Sequence, residues 1–262
     1  MADYHGQPCW YELGTSRGDL NAAGAFYAAI LGWDVRDSGM EGFVYHLAAS
    51  DGDMVAGLME MPDDFAEMPP FWMLYFSVED ADKTAADIQS AGGNLHRQPQ
   101  DIPGTGCFAI AADPQGAAFG ILQPAPMEGE MGGNAFDQSK AGHGNWHELM
   151  SSDPDAGFAF YSGLFGWRKS TPIDMGEMGT YQLFSHDGAD IGGMMGLGNA
   201  PVSCWLPYFG TKGVVTTMDR IRNHGGEVIH GPQEVPGGAF IAIARDPQGA
   251  HFAIVGPKDV NA

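Results

Sequence analysis

Apolar and polar positions follow two alternating periods along the chain. In CWYEL, residues 9–13, a period of two puts Trp10 and Glu12 on one face of an extended segment and Tyr11 and Leu13 on the other. Residues 20–31 switch to a helical period, with Leu20, Ala23, Tyr27 and Ile30 on one stripe. Asp19 stands at the N-cap position and Gly32 just past the end. Short strands are predicted near 34–37, 43–48 and 54–61. A second unit opens with a strand over 72–78. Glu79 and Asp80 lead into a helix over 81–91 that stops at Gly92 and Gly93, and strands follow near 94–97, 107–112 and 117–122. DPQG at 113–116 has Asp, Pro and Gly at the first, second and fourth places of a type I turn, which joins antiparallel strands. The order is strand, helix, three strands, twice over.

The whole pattern then repeats. CWYELGT at 9–15 returns as NWHELMS at 145–151, and AFYAAILGW at 25–33 returns as AFYSGLFGW at 159–167. Tyr45 and Leu47 return as Tyr181 and Leu183, with His46 becoming Gln182. FWMLYF at 71–76 returns as CWLPYF at 204–209, and DPQG at 113–116 as DPQG at 246–249. Ordered matches of this kind mark an internal duplication. They divide the chain into a first domain over 1–125, a linker over 126–142 rich in Gly, Pro and polar residues, and a second domain over 143–262.

Composition narrows the function. The chain has 262 residues, 33 acidic against 12 basic side chains and a net charge of −21. Apolar residues make up 44%, enough for real cores. A field of this sign repels phosphate, so neither nucleic acid nor an anionic membrane is expected as a partner. No apolar run reaches the ~20 residues that span a bilayer. The opening MADYHGQPCWYEL lacks a basic segment followed by a long apolar one, so no signal peptide is expected. Cys9, Cys107 and Cys204 form no CxxC pair, which argues against a zinc knot or a disulfide framework and for a reduced, cytoplasmic protein.

The element order, the aromatic pair before LGW and FGW, and the late DPQG turn together resemble the vicinal-oxygen-chelate superfamily. That group includes glyoxalase I, bleomycin-resistance proteins and extradiol dioxygenases. The resemblance covers roughly 8–125 and 143–257. It implies an α+β fold of tandem glyoxalase-like domains, each with two βαβββ units curled around a cleft. It also implies up to four metal ligands per domain, on the first and fourth strands of each unit. Carried over by position, these fall on Trp10 or Glu12, Gly57, Met73 and Gly120, and on Trp146 or Glu148, Gly193, Leu206 and Ala253. Each set holds at most one metal-binding side chain, where a metal enzyme needs three or four. The inherited quartet is therefore expected to be lost. No cofactor is assigned, and a divalent metal is left open.

Candidate site residues follow from strand alternation. Trp10 with Glu12, and Trp146 with Glu148, face the expected clefts. In such surroundings a carboxylate reads as a general base or ligand-orienting group, as a lone metal ligand, or as a partner for buried backbone amides or a neighbouring hydroxyl. His251 shares the face of Ala253 and could pair with Glu148 as acid and base, or sit hydrogen-bonded at the rim. Tyr75 and Tyr208 are better cleft candidates than Trp72 and Trp205, which point the other way. His46 could line the first cleft. Trp33 and Trp167 follow helix ends and read as core anchors. His5, His96, His143, His186, His224 and His230 read as solvated surface, and Cys107 and Cys204 as small buried residues. The Met-rich stretches 54–73 and 174–195 read as core filler or as adaptable pocket wall.

Two functions stay open. One is a small-molecule binding protein with aromatic, acidic clefts. The other is a glyoxalase-like lyase or isomerase with Glu148 as general base, helped by His251 or, in the first domain, served by Glu12. A dioxygenase is a weaker third reading, since no facial triad is found. The partner expected is a small organic molecule, with a homodimer left open.

Overall fold

The computed structural model describes residues 4–40, 42–65, 67–125 and 133–259. The first half contains β1 (Pro8–Thr15), α1 (Leu20–Leu31), β2 (Asp34–Asp37), β3 (Tyr45–Ser50), β4 (Asp53–Glu60), β5 (Phe71–Ser77), α2 (Ala81–Ser90), β6 (Asn94–Ile102), β7 (Gly106–Ala112) and β8 (Ala118–Pro124). The second repeats it with β9 (Gly144–Ser151), α3 (Pro154–Phe165), β10 (Arg168–Asp174), β11 (Thr180–His186), β12 (Ala189–Gly196), β13 (Cys204–Gly210), α4 (Val214–Asn223), β14 (Glu227–Glu234), β15 (Phe240–Arg245) and β16 (His251–Gly256). The α+β reading and the two βαβββ modules per half are as expected.

Each half builds one eight-stranded sheet. The orders are β2-β3-β4-β1-β5-β8-β7-β6 and β10-β11-β12-β9-β13-β16-β15-β14. Strands β1 and β4 run parallel, as do β5 and β8, while the remaining pairs within each module are antiparallel hairpins. The second sheet follows the same rule. No helix among the described residues is long and apolar enough to cross a membrane.

The helices form for local reasons. In α1, Leu20, Ala23, Tyr27 and Ile30 are buried along the predicted stripe. Gly32 takes a left-handed φ of 77° and its N–H closes on the Ala28 carbonyl, a conformation that costs glycine little. Asp19 occupies the N-cap position, but its side chain makes no capping bond. Asp80 and Asp153 do cap, receiving the N–H groups of Lys83 and Ala156.

The compact units of the molecule do not follow the repeat. One combines Met1–Cys9, Leu74–Gly133 and His147–Leu206; the other combines Trp10–Met73, Asn134–Trp146 and Pro207–Ala262. Each unit therefore draws one βαβββ module from each half. In one, α2 packs on α3; in the other, α1 packs on α4. Aromatic rings fill both cores. Tyr27 stacks on Trp33 and meets Phe252 edge-on, and Tyr161 stacks on Trp167 and meets Phe119 edge-on. Trp33 and Trp167 are buried, their indole N–H groups donating to the carbonyls of Gly142 and Gly6.

The DPQG turns form as predicted, with Gly116 N–H on the Asp113 carbonyl at 2.9 Å and Gly249 N–H on that of Asp246 at 3.1 Å. Of the expected linker, residues 126–132 lie outside the described residues. Residues 134–142 belong to the unit that holds Trp10–Met73. Ala135 is buried, Phe136 bridges Gly144, and Asp53 receives Asn134, Lys140 and His143.

Candidate functional site

Strand β1 lays Trp10, Glu12 and Gly14 along one face, and in the parallel register Glu12 stands opposite Gly57 of β4. The next strand, β3, supplies the residue that meets them. The Trp10 indole N–H donates to the Tyr45 hydroxyl at 3.0 Å, and that hydroxyl donates to Glu12 Oε2 at 2.9 Å. Burial, reinforced by the neighbouring Glu12 charge, pushes the Tyr45 phenol well above its ordinary value, so it stays a neutral donor. Its ring passes directly over Gly57, where a Cβ would overlap the phenol. Phe43 stacks on Tyr45 at 6.0 Å and is 43% exposed. Met61 and Phe71 close over Gly14. The result is an aromatic and methionine-lined wall around one carboxylate.

The second half repeats the arrangement with changes. Glu148 stands opposite Gly193 in the register of β9 and β12, and the Tyr181 ring lies over Gly193. Glu148 is 7% exposed, more buried than Glu12. Cys204 replaces Phe71. Its thiol is pushed up to about 11 by burial, with the charge of Glu148 adding to the shift. His147, in the place of Tyr11, is fully buried and donates Nδ1–H to the Ile191 carbonyl at 2.7 Å. Desolvation draws its pKa down to about 4.

The other predicted residues divide. Tyr75 is buried with its ring over Gly120, its partner in the β5–β8 register. Tyr208 is buried opposite Ala253. Trp72 and Trp205 point the other way, as alternation requires, and donate to the Tyr27 and Tyr161 hydroxyls at 2.9 Å. Trp146 is half-buried on β9.

Four expectations need correction. His46 faces α1, with Nδ1 near Gly24, because the strand's period puts it on the opposite side from Tyr45. His251 is exposed at the start of β16, opposite Arg245, and belongs to a different compact unit from Glu148. The third concerns supposed surface residues. His143 is fully buried, and the His186 side chain is 12% exposed with Nε2 on the His5 carbonyl. Cys107 and Cys204 are half-buried rather than buried.

Tyr45 and Tyr181 are the site residues that the sequence reading passed over. The repeat did carry the signal: tyrosine recurs at this position while the adjacent His46 becomes Gln182.

A family model described as Glyoxalase/Bleomycin resistance protein/Dioxygenase superfamily matches residues 13–121 and again 143–254. The chain belongs to that superfamily. It is 31% identical over 260 residues to "Putative glyoxylase CFP32" of Mycobacterium tuberculosis, covering 96% of this chain and 95% of the relative. It is 32% identical over 268 residues to "Anthracycline biosynthesis protein DnrV" of Streptomyces peucetius, covering 95% and 93%. Among solved structures, the Mn(II)-bound glyoxalase of Novosphingobium aromaticivorans superposes with a TM-score of 0.65 at 15% identity, over 96% of this chain and 82% of that one. Homoprotocatechuate 2,3-dioxygenase of Brevibacterium fuscum superposes with a TM-score of 0.68 at 18% identity, over 98% and 82%. These two establish the fold.

The superfamily's metal positions can now be tested against the residues that occupy them. Gly57, Gly120 and Gly193 offer no side-chain donor, and each lies under a tyrosine ring. Met73, Leu206 and Ala253 are buried and apolar. Among the described residues, no group of three or more His, Cys, Asp or Glu could hold a metal ion. The donor set does not fit a divalent ion at these positions.

Proposed function

We propose that this chain is a small-molecule binding protein of the glyoxalase superfamily. Its ligand is a planar, largely apolar molecule, neutral or cationic, that carries a hydrogen-bond donor. The observation that carries this reading is the Trp10–Tyr45–Glu12 chain set in an aromatic and methionine wall. Flat rings and methionine adapt to flat ligands. A carboxylate accepts N–H or O–H groups and repels anions, and a net charge of −21 acts in the same direction over longer range. A relative named for anthracycline biosynthesis supports a ligand with fused rings. The three cysteines are free thiols, the form that a reducing, cytoplasmic compartment maintains.

A second reading rests on Glu148, which is more buried than Glu12. A buried carboxylate placed beside a bound molecule can serve as general base, as a lyase or isomerase requires. A relative named as a glyoxylase supports it.

Fluorescence titration with two dyes tests the first reading. N-phenyl-1-naphthylamine is neutral and carries an N–H; 8-anilino-1-naphthalenesulfonate shares its rings but is an anion. The neutral dye should bind at least about tenfold more tightly, a difference of about 1.4 kcal/mol. Equal binding of both, or binding of neither, would sink the reading.

A further inference from the structure

We infer that Glu12, held in place by Tyr45, replaces the superfamily's metal as the polar anchor for ligand, with Glu148 and Tyr181 at the equivalent place in the second half. This rests on the small-molecule reading above and adds the residues that perform the recognition.

The argument begins with the glycines. Glycine inside a strand weakens it, so its presence there needs a reason. At Gly57 and Gly193 the reason is the same: any side chain would run into the phenol of a tyrosine from the adjacent strand. The positions are thus built as seats for aromatic rings, and are more than ligand sites that have lost their ligands. Gly120 under Tyr75 is a third seat of this kind. Three of the eight inherited positions have been remade in one way.

The hydroxyl placed by the first seat joins two partners. It accepts from the Trp10 indole N–H and donates to Glu12. A carboxylate offers about four acceptor sites, so a ligand N–H or O–H can join the Tyr45 hydroxyl on Glu12. The phenol fixes the carboxylate, and the indole fixes the phenol. In the second half the same seat stands opposite Glu148.

The test uses the full chain. Wild type, Tyr45→Phe, Tyr181→Phe, Glu12→Gln and Glu148→Gln are dialysed against Mn²⁺, Ni²⁺, Zn²⁺ and anaerobic Fe²⁺. Each is then assayed for metal by elemental analysis and for N-phenyl-1-naphthylamine affinity by fluorescence. Tyr45→Phe keeps the ring in its seat and removes only the hydroxyl. The expected result is well under one ion per chain throughout, with dye affinity down about tenfold in Tyr45→Phe or in Tyr181→Phe. One ion per half, lost in the two Gln variants, overturns the inference. Dye binding that is unchanged in both Phe variants overturns it while leaving the binding reading in place. Failure of wild type to bind the dye removes both.

Discussion

The Tyr27 hydroxyl donates to Asp246 Oδ2 at 2.9 Å across 219 residues of sequence. It ties the first helix of one half to the DPQG turn of the other. The other carboxylate oxygen, Oδ1, receives the backbone N–H groups of Gln248, Gly249 and Ala250, and Trp72 donates to the Tyr27 oxygen. Tyr161 repeats the tie on Asp113 at 3.2 Å, with Trp205 behind it. Both aspartates are buried, at 3% and 4% exposure. The duplicated sequence motifs, AFY and DPQG, are the two ends of a reciprocal clasp.

Removing a clasp hydroxyl should therefore cost stability. Tyr27→Phe takes one donor from a buried carboxylate and the acceptor from a buried indole N–H. Roughly 1–3 kcal/mol is expected, and a similar loss for Tyr161→Phe. The two clasps share no partner, so the double variant should lose about the sum. Urea unfolding measures this, and a stability unchanged by either variant would show the clasps to be incidental.

The clasp also predicts how a single half behaves. Residues 1–125 carry Tyr27 and Asp113 but neither native partner. Alone, the fragment should lack a folded monomer. Two copies can satisfy each other, with Tyr27 of one on Asp113 of the next, so a dimer is the expected folded state. Sedimentation velocity across a concentration series decides this. A cooperatively folded monomer would contradict it.

Acid should destabilise the protein through His147. Its folded pKa lies at about 4, below the unfolded value of 6.5, because burial disfavours the imidazolium. The contribution is intact above pH 6.5 and is lost as pH falls toward 4, since only the unfolded chain takes up the proton there. The loss is about 3 kcal/mol at 1.36 kcal/mol per unit. Asp113 and Asp246 act in the opposite sense. Burial raises their pKa values, so their neutral forms favour the folded state at low pH and that gain is lost as pH rises. His147→Gln keeps a donor for the Ile191 carbonyl and should flatten the decline in stability between pH 6.5 and 4.

These predictions separate what the sequence states from what it conceals. The duplication, the βαβββ order and the DPQG turns are local patterns, and they are legible because each module is patterned within some sixty residues. The clasp is concealed because its partners lie in different halves, and no short-range period encodes which turn meets which helix. Within the site, Trp10 and Glu12 follow from alternation along one strand. Tyr45 does not, since its role depends on the neighbouring strand and on the absence of a side chain at Gly57. His46 drew attention for its chemistry, although the same period-two rule turns it toward α1.

Gly57 gives the sharpest test of the site's construction. Gly57→Ala puts a methyl where the Tyr45 ring lies, and the ring must move off Glu12 and Trp10. Overpacking of this kind costs about 1–3 kcal/mol. Ligand binding should fall with it, because the carboxylate loses the group that orients it. Adding Tyr45→Ala to Gly57→Ala removes the overlap, so thermal stability should recover in part while dye affinity stays low. That split between recovered folding and unrecovered binding is the signature of a tyrosine that serves binding by orienting Glu12. If stability and affinity recover together, Tyr45 is core packing alone. If Gly57→Ala changes neither, the ring has room to spare and the glycine has another cause.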